Sequence, residues 1–276
     1  PLAAPVWPTA VPRIRHHTME AFVPFCPNHH LLDLGERPRW RTVTGGSRHY
    51  VERLVAAFGS EHLRLDSAAL ALERGAQGVR VRTASGWHPN RFDAVVVATH
   101  ADQALRLLDA PSAEERRLLG AFGYSRNLAV LHTDIRLMPR RQRVWSSWNY
   151  LGRRGANDSL CVSYWMNRLQ PLPTTTPLIL TLNPPREPAA GHLLHAQTYA
   201  HPIFDAAALR AQESLWSLQG QRRTWFCGAY FGSGFHEDGL QAALAAAEAL
   251  GAVRRPWTVA DESGRIALQG ARVHTP

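Results

Sequence analysis

The sequence contains no lysine: all 31 of its basic side chains are arginine, against 22 acidic ones, for a net charge of +9. The arginines are scattered without a stripe of interleaved aromatics, which argues for a solvated basic surface and against a nucleic-acid interface. Cysteine is scarce too. Cys26, Cys161 and Cys227 are widely spaced, form no metal-ligand pattern, and read as reduced thiols of a cytoplasmic protein. No apolar run approaches the ~20 residues of a membrane-spanning helix, and the opening residues do not read as a signal peptide. Neither C-x-x-C nor H-x-x-x-H occurs, and the adjacent His29 and His30 cannot share a helix face, so no metal site is expected. The absence of G-x-S-x-G removes the commonest serine-hydrolase arrangement.

What the chain does carry is the run WFCGAYFGSGFHEDGLQAALAAAEALG at 225–251. A short apolar strand over 224–227 leads into a turn with Gly228, Gly232, Gly234 and Gly239. A helix follows whose face is Leu240, Ala243, Leu244, Ala247 and Leu250, with Asp238 as N-cap, Gln241 on the polar face and Gly251 as the stop. Strand, glycine turn and helix N-terminus together can receive an anion, because free N–H groups and the positive dipole end point at whatever sits above the turn. The run is not a dinucleotide fingerprint: Glu237 stands where the third glycine belongs, and no second strand follows.

Residues 1–40 are proline-rich. From there, Gly45 and Gly46 turn the chain, Ser47 is a candidate N-cap, and Val51, Leu54, Val55 and Phe58 make one helical face ended by Gly59. Leu70 and Leu72, then Val79 and Val81, alternate as strands. Residues 94–98 are apolar throughout and predict a parallel strand buried on both faces, with Thr99, His100 and Ala101 at its C-terminal end, where open α/β sheets bind ligands. Ser112 and Glu115 form a capping box for a helix closed by Gly120. Strands are expected at 128–132, 144–148, 160–165, 178–182 and 193–199, joined by loops into a largely antiparallel sheet. Asp205 caps a helix over 206–218. The tail after Trp257 carries no motif and is expected to be mobile.

As a set, the 225–251 run with GGSRHYV (45–51), VVVATHADQALRLL (95–108), WSSWNY (145–150), YWMNRLQ (164–170) and TLNP (181–184) resembles the bacterial FAD-dependent amine-oxidase-like oxidoreductases. The resemblance implies an α/β plus α+β chain: a partial FAD/NAD(P)-binding, amine-oxidase-like fold with a mainly antiparallel substrate-domain sheet. Residues 1–41 and 111–222 would form the substrate domain, 42–110 and 223–257 the FAD-binding segments, and 258–276 a tail. Family members grip the FAD pyrophosphate with an N-terminal G-x-G-x-x-G unit that nothing in this sequence supplies. The chain therefore looks like a C-terminal portion, and the alternative to an enzyme is a truncated or split fragment that needs its other half. A lysine near the flavin, common in the wider superfamily, cannot exist here.

By the same resemblance, FAD would lie against Ala69, Ala98, Thr99, Gly228, Ala229, Asp238, Gly239 and Leu240, with the Gly239 N–H facing the flavin's N1/C2 edge. Ala229 replaces the acidic residue usual after the glycine of the returning strand. Of the histidines His100, His132, His201 and His236, the last is the first choice for acid–base work, because it lies at the flavin-facing turn, and His201 is the second. Trp145, Trp148, Tyr150, Tyr164 and Trp165 concentrate in the predicted sheet. Such aromatics usually belong to a core, yet an apolar substrate needs a wall of this kind. The activity expected is hydride removal from an apolar small molecule, such as a lipid-like compound or an amine.

Overall fold

A computed structural model describes residues 41–151 and 161–268. The expectations for 1–40, including Cys26, His29 and His30, lie outside the described residues. The chain divides into two compact units, one holding 41–63 and 124–203 of the described residues, the other 64–123 and 204–268. The breaks fall at 63/64, 123/124 and 203/204.

The first unit begins with helix α1 (Arg48–Phe58), which Gly59 ends at φ 93° while its N–H bonds Val55 O. Ser47 does not cap this helix: it has helical φ/ψ and no side-chain bond to the first turn. A five-stranded sheet follows, built from β5 (Gly123–His132), β6 (Trp148–Leu151), β7 (Cys161–Trp165), β8 (Ile179–Leu182) and β9 (Leu193–Ile203), in the order β6-β7-β8-β5-β9. The pairs β6/β7, β7/β8 and β5/β8 are antiparallel. Helix α4 (Met166–Leu169) interrupts the connection from β7 to β8. The strand expected at 144–148 begins four residues late. Trp145 turns inward to donate from Nε1 to Pro139 O at 2.7 Å, and the Asn149 amide bridges Ser146 N and O, so the chain bends before it extends.

The second unit holds the hairpin sheet β1 (Ala71–Gly75), β2 (Gly78–Thr83) and β3 (Gly86–Trp87), and a parallel pair, β4 (Val95–Val97) beside β10 (Thr224–Phe226). Around them lie α2 (Ala101–Leu107), α3 (Ala113–Leu119), α5 (Ala206–Gln212) and α6 (His236–Ala249). The capping box at Ser112 and Glu115 is present at α3. The helix expected over 206–218 stops at Gln212 and resumes as a 3-10 turn at Leu215–Leu218, which buries both of those leucines on one side. Before β10 the chain passes through Arg222 and Arg223, both at positive φ, and Arg223 is anchored by bonds from its guanidinium to Asp93 O and Ala76 O.

Two expectations change here. The 94–98 strand is not buried on both faces: Val96 is 41% exposed and Ala98 is open, because β4 pairs with β10 alone among the described residues. The tail is docked up to residue 268. Arg265 Nε donates to Asp238 Oδ1 at 2.6 Å, its N–H bonds Gln241 Oε1, and Ile266 and Ala267 are buried.

Candidate functional site

Because β4 and β10 are parallel, their C-terminal ends share one edge. There Gly228 has φ 153°, and a Cβ on it would meet the Tyr230 ring at 2.9 Å and Thr99 O at 3.3 Å. Glycine is thus required by backbone conformation and by the neighbouring carbonyl together. The chain then makes a 3-10 turn, Ala229–Phe231, and at Gly232 leaves no room for a Cβ beside the Asp238 carboxylate. Gly239 rests over this turn, its virtual Cβ 3.6 Å from Ala229 N, which is ordinary contact.

Asp238 is not the N-cap. The helix opens at His236 with Phe235 in the cap position, and Asp238, fully buried, accepts the Phe235 N–H at 2.8 Å and the Arg265 guanidinium. The Gly239 N–H donates to Phe235 O at 3.2 Å, and the Gly232 and Gly234 amides both reach Ala229 O. These donors are used within the turn, and Glu237 and Asp238 already place negative charge against the positive helix end. The Gly239 amide is therefore not available to a ligand. Gln241 is buried and bonded, contrary to its expected place on an open polar face.

The edge brings together Ala98, Thr99, Gly228, Ala229, Asp238 and Gly239. Ala98 and Leu240 are exposed, and Ala229 and Gly239 half-buried, so the surface offered is small-residue backbone and one leucine. His236 stands exposed at the start of α6. Ala69 is exposed on the lead into β1, in the hairpin sheet.

In the sheet unit the aromatics divide by the two-residue alternation of strands. Trp145 and Trp165 meet edge to face, with ring centroids 5.3 Å apart, and pack with Met138 and Ile179 as core. Trp148, Tyr150 and Tyr164 lie on the opposite face, with Trp148 paired across the strands to Tyr164 and both Trp148 and Tyr150 exposed. Burial pushes the Tyr164 phenol up.

The core face carries a polar chain that spacing did not reveal. The Asp134 N–H donates to His132 Nδ1, so the ring proton sits on Nε2 and goes to Thr181 Oγ1 at 2.8 Å. The Thr181 hydroxyl then donates to Ser163 Oγ, also at 2.8 Å, and Ser163 to Leu137 O. His132, Thr181 and Ser163 are fully buried. Burial holds the His132 imidazole below its usual range, against the pull of Asp134 and with the help of His192. Farther along the same two strands, Asn183, just past β8, and Asn127 on β5 form a second relay that reaches His201 on β9. Its partners are more than fifty positions apart; the sequence singled out His132 and His201 as histidines and Thr181 and Asn183 within TLNP, but nothing in it joined them.

No cluster of three or more His, Cys, Asp or Glu able to hold a metal ion occurs among the described residues. None of their helices is long and apolar enough to cross a membrane.

No curated protein matches the chain significantly. Among solved structures, the "putative protoporphyrinogen oxidase" of Exiguobacterium sp. 255-15 aligns at a TM-score of 0.52 with 14% identity, over 74% of this chain and 51% of that one. Cyclohexylamine oxidase from Brevibacterium oxydans IH-35A aligns at 0.48 with 14% identity, over 74% and 53%. The chain spans about half the length of these structures, and the first likeness supports the mixed fold with its antiparallel sheet. The family described as "Flavin containing amine oxidoreductase" matches residues 19–168, more than half of the sequence, so the chain belongs to the flavin-containing amine oxidoreductase family.

Proposed function

We propose that this chain forms part of an FAD-dependent oxidoreductase that removes hydride from an apolar small molecule, a lipid-like compound or an amine. The observation that carries the proposal is the edge where Thr99 O meets Gly228, flanked by exposed Ala98 and Leu240. Small side chains let a planar ring approach the backbone there, so these residues fit the ring end of a flavin. The described residues contain no glycine-rich strand-to-helix turn of the G-x-G-x-x-G kind for a pyrophosphate. Bound at this edge, the flavin would supply the hydride acceptor, while the protein supplies orientation and an apolar surrounding. In that reading Gly228, Ala229, Thr99 and Leu240 hold the ring. Within the sheet unit, the aromatic surface of Trp148, Tyr150 and Tyr164 suits the apolar body of such a substrate. His236, at the start of α6, is the first candidate for acid–base work, and His201, on β9, is the second.

Titration of the 276-residue chain with riboflavin and with FAD, followed by flavin fluorescence, tests the assignment. The purified chain is expected to be colourless and to bind both weakly and comparably, since only the ring end is gripped. Ala98→Arg should abolish both. A much tighter FAD complex, or one indifferent to Ala98→Arg, would overturn the assignment of this edge. Anaerobic bleaching of the loaded flavin by apolar amines or unsaturated lipids then identifies the substrate class.

A further inference from the structure

Strand β9 closes the five-stranded sheet on one side: β5 is its neighbour, and the described residues supply no strand beyond it. β5 holds it along its length. The Thr133 N–H donates to His192 O near one end and Ser125 Oγ to His201 O near the other, which also makes the two strands antiparallel. In an edge strand every second residue turns its N–H and C=O outward, toward whatever lies beside the sheet. β9 offers eleven residues in this way, and the first eight are exposed on both faces. Among them are Leu193 and Leu194, each 53% exposed, and Tyr199 at 51%.

Edges of this kind are usually protected by shortness, charge or proline. This one is long, and Pro202 stands only at its end. No Asp, Glu, Arg or Lys occurs from Pro188 to Phe204, in a chain of which 19% of the residues are charged. Charge therefore favours one occupant. A molecule of net charge +9 repels its own copies over most of its surface, but at this strip two copies can touch with no like charges opposed.

The order of the residues points the same way. Around Thr198 the strand reads nearly alike in both directions, His195-Ala196-Gln197-Thr198-Tyr199-Ala200-His201, with Leu193 and Ile203 outside. A twofold axis normal to the sheet keeps every side chain on its own face, so residues opposed across it are both odd-numbered or both even-numbered. With the axis at Thr198, Thr198 meets Thr198, Ala196 meets Ala200, His195 meets His201 and Leu193 meets Ile203. Moving the axis to Gln197 opposes Leu193 to His201, and moving it to Tyr199 opposes His195 to Ile203. Only the first register sets like against like on both faces.

We propose that β9 is a homodimerisation edge, on which a second copy of this chain pairs antiparallel about Thr198 and joins the two sheets into one. Main-chain hydrogen bonds of the new ladder supply the attraction, and the Thr–Thr and Leu–Ile pairs set the register. Each copy uses this edge once, so the assembly closes at the dimer. No flavin takes part, and the pairing is independent of the function proposed above.

Sedimentation equilibrium of the 276-residue chain at several concentrations tests the proposal. A reversible monomer–dimer equilibrium is expected, with the mass approaching twice that of the chain. Thr198→Arg changes a side chain that is exposed in the single copy and sets two guanidinium groups against each other on the axis. It should raise the dissociation constant roughly tenfold or more. Gln197→Glu with Tyr199→Arg opposes unlike charges in this register and should keep the dimer, whereas Gln197→Arg with Tyr199→Arg should dissociate it. A chain that stays monomeric at every concentration, an open-ended series of larger species, or a dimer indifferent to the arginine variants would overturn the proposal. The wild-type mass decides even where a variant fails to fold.

Discussion

Arg74–Glu115 and His132–Thr181–Ser163 both bury polar groups beside strands, one in each unit, by different chemistry. In the unit with the glycine turn, Arg74 on β1 reaches Glu115 on α3 bidentately, donates to Ala110 O and approaches Thr224 on β10, with both charged side chains almost wholly buried. Burial pushes the Glu115 carboxyl up, but Arg74 and the Ser112 N–H outweigh it and hold the group below its usual range. The sheet unit uses neutral groups whose bonds begin and end on backbone atoms. An ion pair ties three elements strongly and is intolerant of losing one partner; a neutral chain costs less to desolvate but depends on one protonation state.

The largest effect should come from breaking the ion pair. Glu115→Ala leaves the Arg74 guanidinium buried and uncompensated and is expected to cost about 3–5 kcal/mol by chemical denaturation, whereas Arg74→Met with Glu115→Leu should cost far less. Next is Gly228→Ala, which imposes a strained φ and a contact of 2.9 Å, for a loss of roughly 1–3 kcal/mol. That variant should also disturb the β4–β10 edge.

The neutral chain is tested by pH. His132 has its folded pKa below the ordinary 6.5, so the unfolded state binds more protons below that pH. Stability should be flat above pH 6.5 and fall as pH drops through the window down to the depressed folded value, by up to about 1.4 kcal/mol per unit. His132→Gln should remove this slope. Glu115, lowered from 4.5, contributes its stability above that value, and the contribution is lost only as pH falls through its lower folded pKa, so the two units separate along the pH axis. Denaturation curves that show no slope between pH 6.5 and 5 would mean that His132 is charged in the fold. The smallest effect has the opposite sign: Gly239→Ala, in ordinary contact and inside α6, should stabilise by about 0.5–1 kcal/mol.

Local signals were readable in the sequence wherever one segment satisfies itself. Ser112 caps α3 through a residue three positions away, Gly59 ends α1, and Asp205 caps α5. The open face of the sheet was not readable, because its alternation is meaningful only once β6 is known to begin at Trp148. Asp238 looked like a cap until Arg265, far along the chain, showed why its carboxylate is buried. The relays were least legible, since Asn127, Asn183 and His201 come from three different segments. The aromatic run at 145–150 mixes one core ring, Trp145, with two open ones, Trp148 and Tyr150, and composition alone cannot assign them.

The pairing of Val95–Val97 with Thr224–Phe226 bears on how the chain is made. The whole five-stranded sheet is encoded between these two segments, so β4 leaves the ribosome long before its partner exists. Loop-closure entropy must be met before this contact contributes anything, which makes it a late and slow event in folding. Until then three valines present an unpaired edge, the kind of segment that chaperones hold and that aggregates in their absence. Arg222 and Arg223, locked at positive φ by distant carbonyls, would be among the last residues to find their native backbone conformation.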